Sequence, residues 1–232
     1  MEIINLVNPN IPNQLPAVDV PKIDDGSVGG LLQGKTIICG GIKNGVSQQK
    51  YFVIGQPSKN MLQKRSCASS VVLNPSTLWV VGGDSDNEIL SSTELITLEK
   101  PLAKGTELPF KIKGHGMVMY TGNAIYIIGG VVAGSISVSR DTWIVDPSNT
   151  FEIKKGPSLK EGRSYFSCGK MLSHGKVYIV VAGGECGSDT VEILDSSSDQ
   201  GWTSGIVKSN HFMQWKRSLK KILFQVQNCL LN

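Results

Sequence analysis

The chain has 232 residues, with 23 Lys plus Arg against 19 Asp plus Glu, 40% hydrophobic residues and 26 glycines. A net charge of +4, scattered along the chain, excludes a nucleic-acid surface, and the apolar content excludes a disordered polymer. No run reaches the ~18 apolar residues that cross a bilayer, and MEIINLVNPN lacks the basic and apolar regions of a secretory signal.

Taken in order, residues 1–22 read as the tail of a repeat. Ile3 to Val7 followed by Asn8-Pro9-Asn10 parallels Trp143-Ile144-Val145-Asp146-Pro147, and Leu15-Pro16 sits where Leu108-Pro109 sits later. From there a hydrophobic run closes on a glycine pair four times, at Gly40-Gly41, Gly82-Gly83, Gly129-Gly130 and Gly183-Gly184. About ten residues after each pair comes another β-branched run, at 50–54, 93–98, 142–145 and 190–194. A tight turn precedes each pair, at Gln33-Gly34-Lys35, 74–77, Thr121-Gly122-Asn123 and Ser173-His174-Gly175. The last repeat is the clearest, with strands expected at 165–172, 176–182, 190–194 and around Trp202.

Intervals of 42, 47 and 54 residues between the first glycines, with four strands per interval, predict an all-β fold of the β-propeller type. One sheet cannot bury both its faces, so neighbouring repeats must stack around a common axis. Four four-stranded blades are expected over residues 23–205, at about 23–62, 64–110, 111–159 and 162–205, with the outer two strands of a partial blade over residues 1–22. Residues 206–232 break the pattern, and no fifth glycine pair appears. Trp215, Leu219, Ile222, Leu223, Val226 and Leu230 fall at helical spacing, with Lys216, Arg217, Lys220 and Lys221 between them. The tail therefore reads either as a degenerate blade or as a basic amphipathic helix, and the ring as incomplete.

With the glycine pairs, the strand ending in Asp146-Pro147, the later aromatics Phe151 and Trp202, and the Arg65-Ser66 and Arg163-Ser164 pairs, residues 23 to 205 resemble the kelch repeat family. The first repeat departs from it in lacking the late aromatic and the opening Arg, the second in carrying Glu94-Leu95-Ile96 where a Tyr-Asp is usual. The resemblance implies a kelch-type propeller that binds a partner protein or peptide and performs no catalysis of its own. In kelch adaptors the Arg that opens a blade lines the central pocket and grips acidic segments, which implies that role for Arg65 and Arg163. Kelch proteins often join the propeller to a dimerising, ubiquitin-ligase-recruiting domain. None is visible here, so a substrate-adaptor role is expected only through a longer relative. The alternative is a propeller enzyme acting on a sugar or sialic acid at the central pocket, with rim carboxylates such as Asp84 or Asp141.

Several motifs look like chemistry and are better explained as structure. Gly29 to Thr36 matches the phosphate-binding pattern G-x-x-x-x-G-K-[ST], which needs a strand before the loop and a helix after it. Here a β-branched run ending in Gly40-Gly41 follows, so Gly34-Lys35 reads as a hairpin turn. His115, His174 and His211 share no ligand spacing and read as solvent-exposed or hydrogen-bonded side chains, so neither a metal nor another cofactor is expected. Five cysteines, three of them in expected strands (Cys39, Cys67, Cys168), point to buried free thiols in a reducing, cytoplasmic setting. The glycine pairs and Trp79, Tyr126, Trp143, Tyr178 and Trp202 read as packing.

Recognition is then left to the rim. The loop after each second strand and the connection into the next blade emerge at one end of an antiparallel blade. Those loops are 42–49, 84–92, 131–141 and 185–189. Loops on a rigid scaffold are where binding usually resides. The candidate partner-binding residues are Arg65, Arg163, Asp84, Asp86, Arg140 and Glu185, set against a partner that includes acidic segments.

Overall fold

The computed structural model describes residues 23–86, 88–120, 124–173, 175–186, 189–195 and 201–206. Every regular element among them is a strand, and they build four four-stranded antiparallel sheets arranged as a four-blade β-propeller. Blade 1 is β1 (Val28–Leu32), β2 (Lys35–Cys39), β5 (Lys50–Val53) and β6 (Lys59–Asn60), with the rim hairpin β3 (Ile42–Lys43) and β4 (Val46–Ser47) between its second and third strands. Blade 2 is β7 (Ser69–Asn74), β8 (Thr77–Val81), β11 (Thr93–Thr97) and β12 (Ala103–Lys104), with rim hairpin β9 (Asp84–Ser85) and β10 (Glu88–Ile89). Blade 3 is β14 (Gly116–Met119), β15 (Ile125–Ile128), β17 (Thr142–Asp146) and β18 (Glu152–Lys155), and its short flanking strands β13 (Ile112–Lys113) and β16 (Val131–Val132) pair with each other. Blade 4 is β19 (Ser167–Ser173), β20 (Lys176–Ala182), β21 (Thr190–Leu194) and β22 (Trp202–Ile206).

Strand order within each sheet follows the chain, each strand pairing with the next by a hairpin. The innermost strands β1, β7, β14 and β19 pack in succession, blade against blade. Alternation along a strand then divides each sheet's side chains between two neighbours. In blade 2, Leu78 and Val80 face blade 1 while Trp79 and Val81 face blade 3. In blade 3, Ile125 and Ile127 face blade 2 while Tyr126 and Ile128 face blade 4. Three inter-blade cores result, and among the described residues none joins blade 4 back to blade 1.

The phosphate-loop pattern is resolved by β1 and β2. Gly29 and Gly30 lie within β1, and Gln33 and Gly34 take the two left-handed positions of the turn, with φ of +49° and +75°. Lys35 starts an antiparallel strand paired with Leu32, so no helix N-terminus faces the loop. The aromatics also pack as the sequence predicts. Trp79 lies 4.9 Å from Phe151 and Phe110 lies 4.9 Å from Trp143, both pairs in the core between blades 2 and 3. Tyr178 belongs to none of the three cores that the described residues form. The predicted partial blade over residues 1–22, and the tail from 207 onward, lie outside the described residues.

Candidate functional site

The candidate site is the end of the propeller where blades are opened and where the loops after the second strands emerge. It is built by a backbone spiral. Gly26, Cys67, Gly114 and Tyr165 open blades 1 to 4, all in the left-handed region, with φ of +67°, +51°, +60° and +53°. The Cys67 N–H donates to the Gly26 carbonyl at 2.9 Å, Gly114 N–H to Cys67 at 2.8 Å, and Tyr165 N–H to Gly114 at 2.8 Å. Each blade is thus tied to the one before it at the same register. The glycine pairs make the second tie. Gly41, Gly83 and Gly130 donate to the carbonyls of Arg65, Ile112 and Arg163 at 3.0, 2.8 and 2.8 Å. A Cβ on Gly83 would stand 2.6 Å from the Ser66 carbonyl oxygen, at a φ of +102°, so only glycine fits.

Arg65 and Arg163 occupy one position in this frame, and the structure corrects the role expected of them. Their side chains are 1% and 0% exposed. Arg65 Nη2 is 2.7 Å from Glu94 Oε1, and its Nη1 donates to the carbonyls of Gly82 and Ser92. Arg163 repeats the arrangement with Glu192 at 2.8 Å and the carbonyls of Gly183 and Thr190. The glutamates in turn accept backbone N–H groups from the segment leading into the blade, Leu62 and Gln63 for Glu94, Lys160 and Glu161 for Glu192. The guanidinium fork, with its many donors, satisfies the buried carboxylate and the carbonyls that the glycine corner leaves open. Neither arginine stands at a pocket mouth, because a buried cation is tolerable only when paired this way. Blades 1 and 3 have no such arginine, and place Phe52 and Trp143 where the glutamates stand.

The other predicted residues do lie at the rim, but two are already neutralised. Asp84 is bonded to Lys113 and Asp86 to Lys64, while Glu88 of the same loop is bonded to Lys111. Asp86 also accepts the Ser47 N–H at 2.7 Å, coupling the rim hairpins of blades 1 and 2. The bond to Asp84 holds the Lys113 ammonium above its ordinary pKa, and the bond to Lys64 holds the Asp86 carboxyl below its own. Asp141 pairs with Lys155 at 3.1 Å. Among the described residues, the exposed Glu185 accepts only the Ser164 hydroxyl, at 3.0 Å, and neither it nor the exposed Arg140 has an ion-pair partner.

Sequence reasoning missed Cys67, Lys113 and Tyr165 as members of this surface. Cys67 is not in a strand. It takes a left-handed conformation at the axis, beside Ser66, Lys113 and Tyr165, and burial raises its thiol pKa. Tyr165 is 47% exposed on the same end, near Glu185. All four left-handed residues lie two positions before their inner strands, and only the glycines at 26 and 114 carry a signal in the sequence. Apolar side chains stand out beside these charges. Ile42, Val46 and Ile136, on the loops of blades 1 and 3, are 36%, 49% and 106% exposed.

His115 also departs from expectation. It lies just before β14, only 6% exposed, and neither ring nitrogen has a hydrogen-bond partner among the described residues. Burial drives its pKa down to about 3, so the ring is neutral. The described cysteines, Cys39, Cys67, Cys168 and Cys186, form no disulfide, and no group of three His, Cys, Asp or Glu among the described residues is placed to hold a metal ion. Cys229, His174 and His211 lie outside the described residues.

No protein-family model matches the chain, and no curated protein matches it. Among solved structures it is similar to the one titled "Structure of YjhT", with a TM-score of 0.62 at 16% identity, over 82% of this chain and 68% of that one. The likeness is one of fold. It agrees with the blade architecture, and nothing about activity passes through it.

Proposed function

We propose that the chain is a kelch-type interaction module that binds a partner protein or peptide through its rim loops and carries out no reaction itself. The observation that supports this is the composition of one end of a rigid frame. Exposed Ile42, Val46, Ile136 and Tyr165 stand there with Arg140 and Glu185, which have no ion-pair partner among the described residues. Aromatic and aliphatic anchors among a few charges of both signs are what a protein partner engages. The spiral and the glycine corners hold the loops fixed, so binding costs little ordering of the backbone. The acidic-segment reading narrows to Arg140, since Arg65 and Arg163 are consumed by Glu94 and Glu192. A reducing cytoplasmic setting belongs to the same proposal and is supported by four thiols that make no disulfide.

The test is capture of specific partners by the immobilised chain, followed by Tyr165→Ala with Arg140→Ala, both solvent-facing. Loss of those partners with unchanged thermal unfolding supports the proposal. Turnover of a free sugar that disappears with Asp84→Asn or Asp141→Asn, and partner capture indifferent to the rim changes, would replace it with the enzyme reading.

A further inference from the structure

We infer that Lys170 is an acylation site, an amine set in the seam between blades 3 and 4 that accepts a small acyl group from an acyl phosphate. Five residues on from the blade-opening Cys67, Gly114 and Tyr165 stand Val72, Met119 and Lys170. Each lies opposite a second-strand residue that faces the preceding blade, Leu78, Ile125 and Ile179, all 0% exposed. Cross-strand partners share a face, so all three positions belong to an inter-blade seam. Val72 and Met119 pack against the cores there. Blade 4 thus puts an ammonium where blades 2 and 3 put apolar side chains.

Lys170 is partly buried, and no hydrogen bond or ion pair joins it to any described residue. Exposed lysines of the same chain, such as Lys111 and Lys155, do find carboxylates, Glu88 and Asp141. The described titratable groups on this seam are Cys168 of the same strand and Tyr120 and Tyr126 of blade 3, none of them a carboxylate. The Tyr120 hydroxyl is committed, donating across the seam to the Val177 carbonyl at 3.0 Å. An ammonium without a counter-charge is disfavoured in such a place, and desolvation holds the Lys170 amine below its ordinary pKa. More of it is then neutral near pH 8 than at an exposed lysine, and the neutral form is the nucleophile. The seam also opens beside it. Cys168, two residues earlier on the same face, has its thiol pushed up to about 12 by burial, whereas Leu172, two residues later, is 73% exposed. Lys170 stands between the dry part and the wet one, toward the hairpin end of β19 and away from the glycine corner. An anionic acyl phosphate entering there meets no repelling charge among the described residues. The neutral Nζ attacks the acyl carbonyl carbon and a C–N bond forms. The C–O bond to phosphate breaks, its electron pair leaves on the phosphate, and the surplus amine proton passes to water. The amide so formed carries no charge and matches the apolar Val72 and Met119 of the other seams.

The test is quantitative mass spectrometry of the full chain after brief exposure to acetyl phosphate at pH 8, read at Lys170 and at the exposed Lys59 and Lys100, with and without urea. Acetylation of Lys170 several-fold faster than of Lys59 and Lys100 in the folded chain, and at their rate in urea, is the expected result. Equal or slower labelling of Lys170 in the folded chain overturns the inference, since its ammonium then reaches water along its stem or the donor is shut out. A preference that survives in urea overturns it too, because neighbouring sequence and not the seam then sets the rate. Lys170→Met, with the residue that blade 3 carries at this position, supplies a second reading. It is expected to fold and to raise Tm by a few degrees, whereas a lower Tm shows the ammonium to be compensated where it stands and overturns the inference.

Discussion

Replacing Arg65 with Met tests whether blade 2 is pinned by a buried charge pair or merely decorated by one. Arg65 and Glu94 are 1% and 2% exposed and 2.7 Å apart. Removing the cation leaves a buried carboxylate with only the N–H groups of Leu62 and Gln63, and leaves the carbonyls of Gly82 and Ser92 without their guanidinium donor. Breaking one side of such a pair costs about 3–5 kcal/mol. A chain of this size shifts by roughly 2–4 °C per kcal/mol, so Arg65→Met is expected to lower Tm by about 6–20 °C. Blade 3 supplies the internal control, since it uses Ile112 and Trp143 at the two equivalent positions and packs them into one core. The double variant Arg65→Ile, Glu94→Trp is therefore expected to lose less than Arg65→Ile alone, a positive coupling in a double-mutant cycle. The assay is urea unfolding followed by Trp fluorescence and by far-UV circular dichroism. A loss under 1 kcal/mol for Arg65→Met, the size of an exposed ion pair, would refute the reasoning, as would additivity in the cycle.

Other outcomes follow from the same geometry. His115 has its pKa lowered from 6.5 to about 3 by burial, so below pH 6.5 the unfolded chain binds a proton that the folded chain refuses. Stability should fall as pH drops from about 6.5 toward 3, by about 2–3 kcal/mol at pH 4.5, and His115→Phe, matching Phe166 in blade 4, should flatten that slope in denaturant titrations. Gly83→Ala places a Cβ 2.6 Å from the Ser66 carbonyl at a φ of +102° and should cost on the order of 2 kcal/mol or more, whereas Gly45→Ala, also left-handed but with open space around it, should cost less. Trp79→Ala empties a fully buried site against Phe151 and should cost about 3–5 kcal/mol, measured by the same unfolding curves.

The strands were legible because their signals are local. Residues 176–182 and 190–194 are strands with the predicted bounds, and Thr93–Thr97 and Lys50–Val53 end one residue short of prediction. Glycine corners and hairpin turns announce themselves by conformational need, as at Gln33-Gly34, and that need does not depend on distant neighbours. The candidate site was legible only in outline. Its loops lie at the expected end, yet Asp84 and Asp86 turn out to be paired with Lys113 and Lys64, residues 29 and 22 positions away. The arginines were misjudged for the same reason. The one available clue was a separation: Arg65 to Glu94 and Arg163 to Glu192 are both 29 residues, and the repeats without the arginine lack the glutamate as well.

By itself the sequence determined the repeat, its four strands and the corners between them, since hydrogen-bonding pattern and φ preference are settled within a few residues. Tertiary structure alone decided which charges are free. An arginine becomes a binding group or an internal clamp according to what lies within 3 Å of it, and here the partner is the third strand of its own blade, brought there by two hairpins and sealed from water by the neighbouring blade.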